Sequence, residues 1–257
     1  MDRSTCNEES RRRNFLRLFF FLVEKVSIIL TNLGTFFVIL HPNNDCKMNY
    51  LNVENIARSG DGVEYHPLVP FLPSNAKVLF LGSFPPQRKR WCMDFFYPNF
   101  INDHWRIEGE VFFGDRQHFV VSDKKVFNLD EIVDFCNAKG IAFFDTACAV
   151  RRLKENASDK FLEVVEPTDI NALLRALPEC RVVVTTGEKA TDTLCQYYGV
   201  ENSPKVGMFS PLSGIKNQQA EQIYLYRLPS SSRAYPLAFE KKVAFYREMF
   251  RFAGVID

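Results

Sequence analysis

The sequence predicts an α/β fold, a mainly parallel sheet with helices on both faces. Two observations predict it. Four short apolar runs of β-favouring residues each break into a polar loop containing Gly, Pro, Thr or Ser. Most of those loops lead into a segment with helical periodicity. With 46% hydrophobic and 25% charged residues over 257 positions, the chain has enough apolar material for a full core, and wholesale disorder is excluded.

Residues 1–47 differ from the rest. Arg11-Arg12-Arg13 precedes an apolar run from Phe15 to Val23, Glu24-Lys25 follows, and a second apolar stretch extends from Val26 to Leu40. We read 1–47 as an extension outside the fold, with Met48 opening a single domain over 48–257. Membrane association of residues 15–40 is the less favoured alternative. Glu24 and Lys25 sit near the middle of the stretch, where each charge costs roughly 2.5–3.5 kcal/mol on insertion scales, and no small-residue cleavage site follows the first run.

From Met48 onward, a Pro-punctuated lead-in with a short helix near Val53–Ser59 precedes the first strand, Lys77–Leu81. Helices are expected over Phe100–Phe112 and Asp130–Lys139; the latter aligns Ile132, Val133, Phe135 and Cys136 on one face. Ile141–Phe144 is the second strand. Asp169 caps a helix over Ile170–Leu177 that Pro178 stops. Arg181–Thr186 is the third strand, followed by Gly187 and a helix over Lys189–Tyr198. Ile223–Leu228 is the fourth, ending at Pro229-Ser230-Ser231-Ser232, and Pro236–Phe252 closes the chain as an amphipathic helix.

A net charge of +1 gives no global attraction to nucleic acid, so an anionic partner must be held by local patches. The 7 cysteines show no C-x-x-C spacing, which fits free thiols in a reducing compartment, the cytoplasm, better than disulfides or a zinc site. The 4 histidines lack metal-ligand spacing, and no metal is expected.

In an open α/β sheet, ligands bind at the carboxyl ends of the strands. Here those ends carry Gly82-Ser83-Phe84-Pro85-Pro86, Asp145-Thr146, Thr185-Thr186-Gly187 and Pro229 to Arg233. The set is rich in hydrogen-bonding groups and poor in titratable ones. It holds no nucleophile paired with a base, no P-loop and no G-x-G-x-x-G.

Val78–Pro86, Tyr97–Trp105, Gly140–Thr146, Arg181–Ala190 and Leu228–Ala234, in that order, resemble the uracil-DNA glycosylase superfamily, and most closely its hypoxanthine-DNA glycosylase branch. The resemblance covers about residues 63–252. It implies a three-layer α/β/α fold around a central four-stranded, mainly parallel sheet. It also implies a monomeric, monofunctional glycosylase of base-excision repair that needs no metal or cofactor. Its partner would be DNA containing a deaminated base, uracil or hypoxanthine, flipped out for hydrolysis of the N-glycosidic bond.

The same resemblance assigns roles. Many members carry a water-activating Asp or Asn where this chain has Phe84. In the hypoxanthine branch that role falls on the Asn of an N-x-x-W element, here Asn102 with Trp105; the plain reading of Asn102 is a helix cap. Gly82, Ser83, Phe84, Phe96, Tyr97, Asp145 and Thr146 would line the base pocket, with Phe96 or Tyr97 as the stacking ring. A local backbone cap is the plain reading of Asp145. His104 is placed outside the site. Ser230, Ser231 and Ser232 would hold phosphates with Lys189, and Arg233 or Tyr235 would fill the gap left by the flipped base. Leu228 stands where many members have a His that stabilises the leaving base. The rival readings are a catalytically inactive nucleic-acid-binding module of the same fold and an enzyme acting on free nucleosides or nucleotides.

Overall fold

A computed structural model describes residues 26–30, 36–40, 62–153, 159–216 and 221–257. The backbone divides into two compact units, Met1–Asn52 and Val53–Asp257. In the first, β1 (Val26–Leu30) and β2 (Phe36–Leu40) form an antiparallel pair. The remainder of the 15–40 stretch and the expected helix near Val53–Ser59 lie outside the described residues. Among the described residues, no helix is long and apolar enough to cross a membrane.

The second unit is a mixed α/β structure. Its central sheet contains β4 (Val78–Gly82), β7 (Ile141–Asp145), β10 (Val182–Thr186) and β12 (Gln222–Leu228), all parallel and adjacent in the order β12-β10-β4-β7. These are the four strands expected from the apolar runs. The sheet has five strands, however, because β11 (Phe209–Lys216) pairs antiparallel with β12 at one edge. Its register shifts between Pro211 and Lys216, so no clean alternation marks it as a strand.

A second, three-stranded antiparallel sheet comprises β3 (Val63–Tyr65), β8 (Ala147–Arg152) and β9 (Leu162–Pro167), in the order β3-β8-β9. A short ribbon of β5 (Val120–Val121) and β6 (Val126–Phe127) completes the strands.

The helices are α1 (His104–Phe113), α2 (Leu129–Lys139), α3 (Ile170–Arg175), α4 (Glu188–Tyr198) and α5 (Phe239–Phe252). Asn128 and Asp169 cap α2 and α3, their side chains accepting from Glu131 N–H and Ala172 N–H. Strand pleat sets the layers. Phe80 lies in register with Val184 and Phe143, and its ring meets His104 of α1 and both Tyr246 and Phe250 of α5. Thr185 projects from the opposite face and bonds Thr191 of α4 at 2.8 Å. Helices thus cover both faces of a sheet whose middle strands are fully buried.

Candidate active site

The parallel registry brings Gly82 beside Asp145 and Thr186 beside Leu228, so four strand ends share one edge. Thr146 N–H donates to the Gly82 carbonyl at 2.8 Å, and Gly187 N–H donates to that of Leu228 at 3.2 Å. At position 82 a Cβ would fall on Oδ1 of Asp145. Only glycine leaves room for that carboxylate.

Asp145 is buried, and its Oδ2 lies 2.9 Å from Nε2 of His66. His66 Nδ1 sits 3.2 Å from Leu68 N–H and 2.9 Å from the Leu68 carbonyl. With Leu68 N–H donating to Nδ1, the neutral ring presents Nε2–H to Asp145. Phe84 and Phe144 hold the ring at centroid distances of 5.3 and 4.5 Å. No described residue hydrogen-bonds Oδ1 of Asp145, and Thr146 Oγ1 is buried without a partner.

Tyr97 supplies the third polar group. Its φ of 50° is in the left-handed region, uncommon for a residue with a side chain. Trp105 pins the turn by donating Nε1–H to the Phe96 carbonyl at 3.1 Å. The Tyr97 hydroxyl lies 2.8 Å from Thr186 Oγ1, and the ring stacks on His104 at 3.7 Å. Burial, helped by negative charge from Tyr246, Asp145 and Glu108, pushes the phenol well above its ordinary range; the Thr186 bond opposes this. The hydroxyl is therefore a neutral donor or acceptor at physiological pH.

Beneath Tyr97, His104 and Glu108 are fully buried, with Nε2 and Oε1 3.0 Å apart but poorly aligned for a hydrogen bond. His104, expected outside the site, stacks under the Tyr97 ring. Phe96 stacks on Phe143 in the core. Of the two aromatics expected to face the pocket, Tyr97 is the one at the polar edge. Phe84 is also buried, packed with Ala147, Val150 and Leu162. Ser83 is buried at the start of the same loop.

Asn102 lies one position before the Asp103 N-cap of α1, and its Oδ1 accepts His104 N–H at 2.9 Å. Its carbonyl accepts Arg106 Nη1–H at 3.2 Å. Next to it, Asp103 is a buried carboxylate that takes Arg233 Nε–H on Oδ1 at 2.7 Å and stands 3.5 Å from Lys242 Nζ through Oδ2. Lys242 is itself buried and donates to the Ser232 carbonyl at 2.7 Å. Arg233, expected as a wedge, is thus tied back to α1.

The serines shape their own loop. Ser230 Oγ accepts Ser232 N–H and Ser232 Oγ accepts Ala234 N–H, both at 3.2 Å. Ser231 is buried and its carbonyl accepts Asp103 N–H at 3.1 Å. Tyr235 N–H donates to the Ser232 carbonyl. Gly187, with φ 90°, brings the start of α4 against Ser230, and Lys189 follows half-buried in the first turn.

Sequence reasoning missed His66 and the Asp103–Lys242 pair. The only sequence signal for either was a titratable residue beside prolines or aromatics, which is common. Among the described residues, no group of three or more His, Cys, Asp or Glu is placed to hold a metal. The described cysteines are free.

No family model matches the chain, and no curated protein matches it. Among solved structures, the solution structure of a protein from Methanosarcina acetivorans described as a "putative Uracil DNA glycosylase" is similar at 22% identity and a TM-score of 0.48, over 75% of this chain and 99% of that one. At that identity and score the likeness carries no argument about activity.

Proposed function

We propose that the protein is a DNA glycosylase that hydrolyses the N-glycosidic bond of a deaminated base, uracil or hypoxanthine, extruded from DNA. The observation that carries this reading is the Asp145 carboxylate, held through Oδ2 by His66, with Oδ1 packed against Gly82 and hydrogen-bonded by no described residue.

An ionised carboxylate only accepts hydrogen bonds. Uracil and hypoxanthine carry an N–H on their pairing edge where cytosine and adenine carry a bare ring nitrogen. The same oxygen therefore attracts the deaminated base and repels its parent. The Tyr97 hydroxyl, kept protonated by burial, supplies a donor beside it.

In this reading, Asn102 orients the attacking water through the amide group that its bond to His104 N–H leaves over. Positioning of this kind suffices when bond cleavage leads and the leaving group is stabilised by fixed dipoles. The loop of Ser230, Ser231 and Ser232, shaped from within, presents backbone to phosphates, with Lys189 beside it. The motif order from Val78 to Ala234 supports the assignment independently of the geometry.

The inactive-module reading has one observation in its favour: Asn102 Oδ1 is already engaged by His104 N–H. Base release from oligonucleotides carrying uracil, hypoxanthine or xanthine separates the two. The expected result is release of at least one base, lowered roughly 10²–10³-fold by Asn102→Ala or Asp145→Ala with DNA affinity little changed for Asn102→Ala. Binding without release on every substrate overturns the enzyme reading.

A further inference from the structure

The strand-end site has a neighbour. A cavity of about 400 Å³ opens beside it, lined by Tyr65, Trp91, Phe84 and the Pro85-Pro86 loop, with Arg88, Lys89 and Arg152 as its cations. That volume falls in the range of small-ligand sites. We propose that it binds a second nucleotide of the same nucleic-acid strand, flanking the extruded one, with its base against the aromatic wall and its phosphate on Lys89.

The aromatic wall is rigid before any ligand arrives. Trp91 donates Nε1–H to the Pro86 carbonyl at 2.7 Å, and the Arg88 guanidinium lies over its ring at 4.4 Å. Arg88 is in turn paired with Asp94. A fixed indole loses little freedom on stacking, which favours a flat π ligand.

The charges ask for an anion. Glu64 is the one carboxylate in the lining, and it is occupied by Arg152 Nε–H at 2.9 Å, while Arg152 Nη2–H also donates to the Pro85 carbonyl at 2.6 Å. Lys89 is exposed and makes no ion pair with a described residue. A neutralised acid and an uncommitted ammonium at an aromatic wall fit a base carrying a phosphate better than an apolar or cationic ligand.

Position supplies the link to the strand. Phe84 lines the cavity and touches the His66 ring edge-on at 5.3 Å, so one aromatic ring stands between the cavity and the His66–Asp145 pair. Gly82 and Pro85 are three residues apart, at most about 11 Å of chain, which spans about three stacked nucleotides. The inference rests on the proposed action on a nucleic acid.

Of the 2 tryptophans, Trp105 is buried and Trp91 is accessible, so intrinsic fluorescence reports on the cavity. The full chain is titrated with single-stranded oligonucleotides carrying uracil, with either normal or abasic flanking positions, and base release is measured on the same samples. Expected are saturable quenching by the normal strand and weaker affinity for the abasic-flanked one. Lys89→Ala and Trp91→Ala, read by anisotropy of a labelled strand, are expected to weaken binding, the latter roughly 5- to 150-fold. Trp91→Phe retains most of the affinity.

Base release with no quenching, and with affinity unchanged by either alanine variant, overturns the cavity assignment alone. Saturable quenching with no base released from strands carrying uracil, hypoxanthine or xanthine overturns the glycosylase reading and leaves the cavity as a nucleotide site. Equal quenching by an acidic peptide, unaffected by competing oligonucleotide, overturns the nucleotide as occupant.

Discussion

At the end of β7, Asp145 is anchored to His66 through one oxygen while the other remains unclaimed by any described residue, and Thr146 keeps a buried hydroxyl without a partner. In the loop after β12, Ser230, Ser232, Arg233 and Lys242 are all engaged with the loop itself or with Asp103. Both regions sit on the same sheet edge and draw on the same residue types. A group oriented but left with capacity is built for recognition, because its next hydrogen bond comes from a ligand. A saturated group is built to hold a shape. The β7 end therefore keeps capacity for a ligand, and the β12 loop presents a preformed surface.

The largest effect expected from this contrast is on stability. Asp103→Ala removes the acid that offsets buried Lys242 and half-exposed Arg233. Breaking one side of a buried ion pair costs about 3–5 kcal/mol, and urea unfolding should show a loss of that size. Asp145→Ala, by contrast, should cost much less stability and far more activity. Comparable destabilisation by the two variants would erase the distinction between a locked loop and a poised site.

A smaller effect probes the poised side directly. In Gly82→Ala the new methyl occupies the place of Asp145 Oδ1, so the carboxylate must swing away from His66. Overpacking of this kind costs about 1–3 kcal/mol, and base release should fall with it. In an Asp145→Ala background the clash is gone, and the same glycine substitution should cost almost nothing. Additive losses in that double-mutant cycle would show that Gly82 is needed for its backbone alone.

Three of the parallel strands, β4, β7 and β10, were legible as short runs buried on both faces, and β12 by its alternation; each has a Gly-, Pro- or Thr-marked exit. The antiparallel strands were not. β8 begins one residue after β7 ends, so Ala147–Arg152 looks like the tail of a loop, and β11 carries Pro211, Gly214 and a register shift. The site was legible where a strand end names its own residues, as at Asp145-Thr146. It was illegible where two distant residues meet: His66 lies 79 positions from Asp145, and Arg233 lies 130 from Asp103. Spacing rules see a turn of helix or a hairpin, and neither pair is local.

The smallest expected effect separates Tyr97 from its surroundings by pH. Burial raises the phenol of Tyr97, and burial with the nearby Glu108 charge raises that of Tyr246. Their folded forms hold the proton more tightly than the unfolded chain does. The stability this contributes is fully present below the unfolded value near pH 10 and is lost as pH rises through it, by up to about 1.4 kcal/mol per pH unit for each tyrosine. Tyr97→Phe gives up the bond to Thr186, about 1 kcal/mol at pH 7, but also removes one titrating group. The gap between wild type and variant should therefore hold from pH 7 to 9 and close by about pH 11. A gap that stays constant across that range would mean that the Tyr97 hydroxyl is not enclosed at the sheet edge, and the donor proposed beside Asp145 would be an ordinary surface phenol.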